Sequence, residues 1–386
     1  MSPMMNGVIL LLVIAARGVL AGHGMFEPKI GAARSAIFSN GAALDTSITT
    51  NGTIDPFAKR GQGKRWVVVD DSTSSSSMGI SLWPDKTIKY CYKDVTARGK
   101  LYDLVLEAMQ VWYSAGLDNS FKMVEVSDSD CTNKRSSVLL ISYDPPKAEG
   151  GKGTLSTTPA MPNGQPPSCV LSDDATIGMK SVVSNIAHEL GHAWGMYHEH
   201  QNPYFWPTSY KGKGGTTFSA INWVCENLVD YEDTITKIND AIAGYPSGAD
   251  LGEIVWGGNR DDICRKRDIA AQWGFSAQDY LPLTSTDVYK VGTQDEDQID
   301  WLSIMIYPTG AGAKTDSSGN RLPTLTKPNG DEITPNLWPS TKDVQGLMAL
   351  YGADSDFDET LLNDSDSPSN PKFLTVRGND IGSCTS

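Results

Sequence analysis

Two histidines four residues apart enclose a carboxylate in the run His188-Glu189-Leu190-Gly191-His192. Residues four apart on a helix share one face, a turn apart, so both imidazoles can reach a single ion at about 2.0–2.1 Å. Glu189 then falls beside the ion rather than on it, where a base for a water molecule is needed. The run continues Ala193-Trp194-Gly195-Met196-Tyr197-His198. Gly195 can take a positive φ and end the helix sharply, which turns the chain back and delivers His198 as a third ligand. The chain holds only five histidines and four lie between 188 and 200, a clustering that core packing does not produce. HExxH alone also occurs in unrelated helices as solvated charge. HExxHxxGxxH is specific, because the helix-breaking glycine sits where the geometry requires it. The chemistry this implies is that of zinc on three neutral imidazoles, able to lower the pKa of a water from about 15.7 towards about 7.

The helix that must carry these groups has an apolar stripe of Met179, Val182, Val183, Ile186, Leu190 and Ala193, with Asp173 or Asp174 to cap its start. Ahead of it, Ile88 to Tyr92 alternates like a strand. Leu104, Val105, Ala108, Met109, Val111 and Trp112 recur at helical spacing, and Gly116 can end that helix. Phe121 to Val126 and Val138 to Tyr143 read as two further strands. The order strand–helix–strand–strand predicts an α/β (α+β) fold with a mixed sheet and a helix packed on it.

With Glu199 as its next residue, the run from His188 to His198 resembles the astacin family of metzincin endopeptidases. Ser303-Ile304-Met305-Ile306-Tyr307 resembles the family's Met-turn. Weaker similarity extends over Leu82 to Trp112 and from Pro339 to Gly352, so the resemblance covers most of residues 80–352. It implies a two-lobe zincin-like fold, a mixed twisted sheet with the active-site helix above an irregular C-terminal lobe that contains the Met-turn. It also implies a zinc metalloendopeptidase with one zinc per chain, acting on internal peptide bonds of proteins. His188, His192 and His198 would hold the metal. Glu189 would take the water's proton and pass it to the leaving amine, and Tyr307 would be a movable fifth ligand that turns to the oxyanion. Met305 would underlie the site and Glu199 support it. The peptide would lie antiparallel to an edge strand, supplied by Val138 to Tyr143 or by Gly153 to Thr157.

The chain also departs from the family. His200-Gln201-Asn202-Pro203 stands where the family has Gln and Arg, and His200 reads as a neighbour of the site or a surface residue rather than a ligand. A stretch of about 208–290 reads as an insertion, with helical patterns over Leu228 to Ile242 and Arg260 to Trp273. Arg321 and Lys327 follow the Met-turn, either as selectors of acidic side chains or as surface charges. The calcium repeats of the serralysin branch do not occur. An inactive zinc-binding adhesion protein and a zinc hydrolase of another substrate are the rival classes, and the intact Glu189 argues against the first.

At 386 residues with 39% hydrophobic and 20% charged side chains, the chain is long enough for a substantial core. Its net charge of −14 gives nucleic-acid binding no support, since that needs basic stripes. Val8 to Ala16 followed by Val19-Leu20-Ala21 reads as a signal peptide over 1–21, too short to span a bilayer, and predicts secretion. Residues 22–65 read as a pro-segment or a flexible arm, with dibasic pairs at Lys59-Arg60 and Lys64-Arg65 and only Asp45 and Asp55 as aspartates able to block the metal. Removing residues 1–65 leaves 25 basic against 43 acidic residues, a net charge of −18. The catalytic domain is placed at 66–352 and an acidic tail at 353–386. Six cysteines in an oxidising compartment predict three disulfides, set as Cys91–Cys384, Cys131–Cys169 and Cys225–Cys264. Asn51-Gly52-Thr53 and Asn363-Asp364-Ser365 are glycosylation sequons. The expected partners are protein or peptide substrates; the sequence is silent on oligomeric state.

Overall fold

The computed structural model describes residues 66–73, 79–146, 154–243, 260–285, 287–295 and 298–352. The signal and pro-segment readings, both sequons, the acidic tail and Cys384 lie outside these residues. Three valines open the described chain as β1 (Val67–Val69), all buried, followed by β2 (Ile80–Ser81) and β3 (Thr87–Tyr92). Asp94 caps α1 (Val95–Ser114) through a bond from the Ala97 amide, and its apolar stripe buries Leu101, Val105, Ala108 and Trp112. Then come β4 (Lys122–Glu125), α2 (Asp128–Asn133) and β5 (Leu139–Tyr143), and the short strands β6 (Ser156–Thr157), β7 (Met161–Pro162) and β8 (Ser168–Leu171). The motif helix is α3 (Val182–Trp194). The C-terminal half adds α4 (Tyr231–Ala243), α5 (Arg267–Trp273), β9 (Tyr289–Val291) and α6 (Thr341–Leu350).

A five-stranded sheet in the order β4-β3-β5-β8-β6 carries the first half, parallel throughout except for β6. β5 pairs on both sides, so of the two segments read as substrate-binding edges only the second ends the sheet. The mixed α+β architecture expected from sequence is present. Two apolar cores meet near the motif. One joins the sheet, α1, α3 and α6; the other is built from Phe205, Trp206, Phe218, Trp223, Phe275 and Tyr280 with their neighbours. Residues of the stretch read as an insertion supply most of the second core. No helix among the described residues is long and apolar enough to cross a membrane.

Two of the expected disulfides are corrected. Cys91 bonds to Cys131, with Cα atoms 5.9 Å apart, because α2 folds straight back from β4 against β3. Cys169 lies on β8, two strands from Cys91 across β5, roughly twice the 4.7–4.9 Å strand spacing and beyond disulfide reach. Its thiol is free and buried. Cys225 and Cys264 are bonded.

Candidate metal centre

α3 starts one step later than its apolar pattern suggests. Ser181, not Asp173 or Asp174, is the N-cap, accepting from the Ser184 amide at 3.3 Å, and Met179 lies before the helix. From Ser184 to Trp194 every residue of α3 is buried, as expected of a helix enclosed on all sides. Its last carbonyls lack intrahelical donors and find side chains instead. The Trp83 indole donates to Ala193 O at 2.7 Å and the Tyr351 hydroxyl to Trp194 O at 3.0 Å. Gly195 adopts φ 111°, ends the helix in the left-handed region and turns the chain towards His198.

That turn is buttressed by β1, which is paired on both edges. One edge meets β9; on the other, Val69 N donates to Gly195 O at 2.8 Å and Tyr197 N to Val67 O at 2.9 Å. The Met-turn approaches from below. A Cβ on Gly191, between the two helical histidines, would lie 2.5 Å from Met305 Sδ, so only glycine admits the thioether there.

The three histidines converge. Their Nε2 atoms are 3.2 Å apart between His188 and His192, 3.1 Å between His192 and His198, and 3.3 Å between His188 and His198. Each Nδ1 faces an acceptor: Ile304 O at 2.7 Å, Met196 O at 2.7 Å and Gln201 Oε1 at 3.0 Å, respectively. A neutral ring that donates from Nδ1 presents a bare lone pair at Nε2. Burial pushes His188 down to about 4 and holds His192 well below its ordinary value, so these rings are neutral. Bonds of about 2.0–2.1 Å at tetrahedral angles need ring nitrogens about 3.3 Å apart. The residues present therefore fit a zinc ion, and among the described residues they are the one His, Cys or carboxylate group with metal-binding geometry.

Glu189 is fully buried beside the three histidines, and burial pushes its carboxyl up to about 8. Its Oε2 accepts the Thr157 hydroxyl at 2.6 Å, while Oε1 has no hydrogen-bond partner. A cleft lined by Leu155, Met179, His188, Glu189, Tyr307 and Pro308 opens beside it. Tyr307 packs its ring 4.2 Å from that of His198, and burial raises its phenol well above the ordinary value.

His200 is not a fourth ligand. Its ring stacks on His198 at 5.2 Å and its Nε2 donates to Asp279 O at 3.0 Å, with burial pushing its pKa down to about 3. Glu199 is buried, donates its amide to Met305 O at 2.9 Å and accepts the Asp300 amide on Oε1 at 3.0 Å. Asp343 on α6 pins the Met-turn from the other side, accepting the Ser303 hydroxyl at 2.6 Å and the Ile304 amide at 2.9 Å. Arg321 donates to Thr176 O at 2.6 Å, and Lys327 lies over the Trp301 ring at 5.8 Å, so neither lines the cleft.

Sequence reading missed Thr157, Gln201 and Asp343 as parts of the site. Gln201 appeared only as a departure from a family pattern, and Asp343 only as part of a weak match. Nothing in the local pattern marks Thr157, because its role depends on where β6 lies over α3.

No protein-family model and no curated protein matches the chain. Among solved structures it is similar to high choriolytic enzyme 1, a hatching enzyme zinc-protease from Oryzias latipes (medaka fish). The TM-score is 0.36 at 14% identity, over 72% of this chain and 96% of that one. A likeness of that degree lends no argument, and the functional reading rests on the site.

Proposed function

We propose that the chain is a secreted zinc endopeptidase that hydrolyses internal peptide bonds of proteins. The observation that carries this is the convergence of three imidazole Nε2 atoms beside a buried carboxylate whose Oε1 is unpartnered. His188, His192 and His198 would hold one zinc ion, which when bound supplies a positive charge that acidifies water and polarises a carbonyl. Glu189 takes the proton from the attacking water and carries it to the leaving amine. Tyr307 lines the same cleft and keeps its phenolic proton, so it can donate to an oxygen that gains charge in the transition state. The peptide pairs with the outer edge of β6, the terminal strand of the sheet. Arg321 is occupied by backbone carbonyls, which removes the support for acidic selectivity.

Casein digestion tests the reading. Cleavage should vanish on chelation and return with zinc. Glu189→Gln should keep the metal while turnover falls by about 10² or more. Full-rate cleavage by metal-free protein, or near-normal turnover in the variant, would reject it. Digestion of a non-protein ester with casein left intact would favour a hydrolase of another class.

The pro-segment belongs to the same proposal. Trp66, which directly follows Lys64-Arg65, is buried against α6, where a Cβ on Gly346 would lie 2.7 Å from its own Cβ. A cut after Arg65 leaves β1 whole. A chain from Gly22 with both dibasic pairs changed to Ala should bind zinc yet cleave nothing, unlike a chain from Trp66. Equal specific activity would reject a zymogen; reactivation by replacing Asp45 or Asp55 would name the blocking residue.

A further inference from the structure

Thr157 has no part in the mechanism above, yet it touches the group that does the chemistry. It sits on β6 in antiparallel register with Cys169, and the strand's alternation turns its side chain inward, fully buried, onto α3. Its Oγ1 lies 2.6 Å from Glu189 Oε2 and 3.1 Å from Cys169 Sγ. A threonine has one O–H to donate. The shorter contact, to Glu189, claims it. Burial raises the Cys169 pKa far above its ordinary value, so the thiol keeps its hydrogen and can donate it to Thr157 Oγ1. The chain of donors then runs Cys169 to Thr157 to Glu189 and stops at Oε2.

The two carboxylate oxygens are thereby made unlike. Oε2 is tied to the sheet, and Oε1 is left without a partner, on a residue that lines the cleft with His188 and Tyr307. The terminal torsion of a glutamate is broad and roughly two-fold, so an untethered carboxylate would sample orientations in which neither oxygen meets the reacting water. We infer that Thr157 is a positioning residue that fixes the Glu189 carboxylate, so that one oxygen alone is presented as the base. The inference rests on the protease reading only for its kinetic consequence. The contact itself is independent of substrate and metal.

Thr157→Val keeps the shape of the side chain and removes the donor; Thr157→Ser keeps the donor. Measured on a cleaved peptide, Thr157→Val should lower kcat about tenfold or more with KM within about twofold, and Thr157→Ser should recover most of the loss. Zinc per chain should match the parent in both variants. Metal-free melting curves report whether each folds; if Thr157→Val does not, Thr157→Ala is compared with Thr157→Ser in its place. Crystal structures of the metal-free variants should show the Glu189 carboxylate rotated in Thr157→Val and in place in Thr157→Ser. Parent-like kcat in Thr157→Val, a Ser variant as slow as the Val variant, or an unmoved carboxylate in the Val structure overturns the proposal. If the parent chain cleaves no peptide, the protease reading fails and the crystal structures alone judge Thr157.

Discussion

The two cores on either side of the metal centre are built by different means. The first is periodic: a sheet with α1 and α3 against it, where backbone ladders set most positions. The second has few regular elements and is fixed by side chains that reach main-chain groups. The Trp206 indole donates to His200 O at 2.7 Å, the Trp223 indole to Cys264 O at 2.9 Å and the Thr309 hydroxyl to Leu325 O at 2.6 Å. The Cys225–Cys264 bond closes over the same region. The three converging histidines sit where the two meet. Ile304 and Met305 pack in the first core and Ile306 and Tyr307 in the second, so the Met-turn passes from one to the other within four residues. A metal site at such a boundary needs the periodic side to place ligands and the irregular side to hold the chain that returns to them.

The largest effect expected from breaking this arrangement is at His198, the proposed ligand outside α3. His198→Ala removes one of three convergent nitrogens and should abolish zinc retention on dialysis, with activity lost in parallel. His200→Ala, two residues on, removes a stacked ring but no ligand and should keep close to one zinc per chain. Metal analysis of the two purified variants is the check. Equal zinc loss in both would mean that stacking in the second core, not ligation, controls the site.

What the sequence made legible follows the same division. The spacing of His188, His192 and His198, the glycine that ends α3 and the stripe of α1 are local properties, and the periodic half displays them in one dimension. Ser181 escaped because the apolar pattern runs on to Met179 without marking where the helix begins. The pairing of Cys91 with Cys131 escaped because it depends on sheet order, which no spacing reveals. Gln201 and Thr157 act through contacts from elements whose placement only the folded chain defines.

The next effect is confined to the second core. Opening Cys225–Cys264 by a double Ser substitution releases a closure of sequence separation 39 and should cost about 3–4 kcal/mol, read as a lower denaturation midpoint. Zinc binding by the protein that remains folded should persist, since no ligand lies within that loop. Loss of metal without loss of stability would show that the bond shapes the site rather than staples the lobe.

The smallest effect tests the boundary itself, at Asp343. Its carboxyl is buried, faces the carboxylates of Asp300 and Glu199, and has Lys342 nearby, 3.8 Å from Asp300. Burial first, and Asp300 second, push it up to about 7 from an ordinary 3.8, against the bonds from Ser303, Ser340 and Ile304 that favour the ionised form. A carboxyl whose folded pKa is raised holds its proton more tightly folded than unfolded. Its contribution to stability is complete below about pH 4 and is lost as pH climbs through about 7. Between about pH 5 and pH 8 that loss is about 2–3 kcal/mol. Asp343→Asn is neutral throughout and can still accept the Ile304 and Ser340 amides while donating to Ser303. The metal-free variant should therefore lose less stability than the parent from pH 5 to pH 8. Denaturant melts at the two pH values give the comparison directly. An unchanged pH slope would mean that Asp343 is ionised in the folded chain at both, and that its bonds to the Met-turn outweigh its burial.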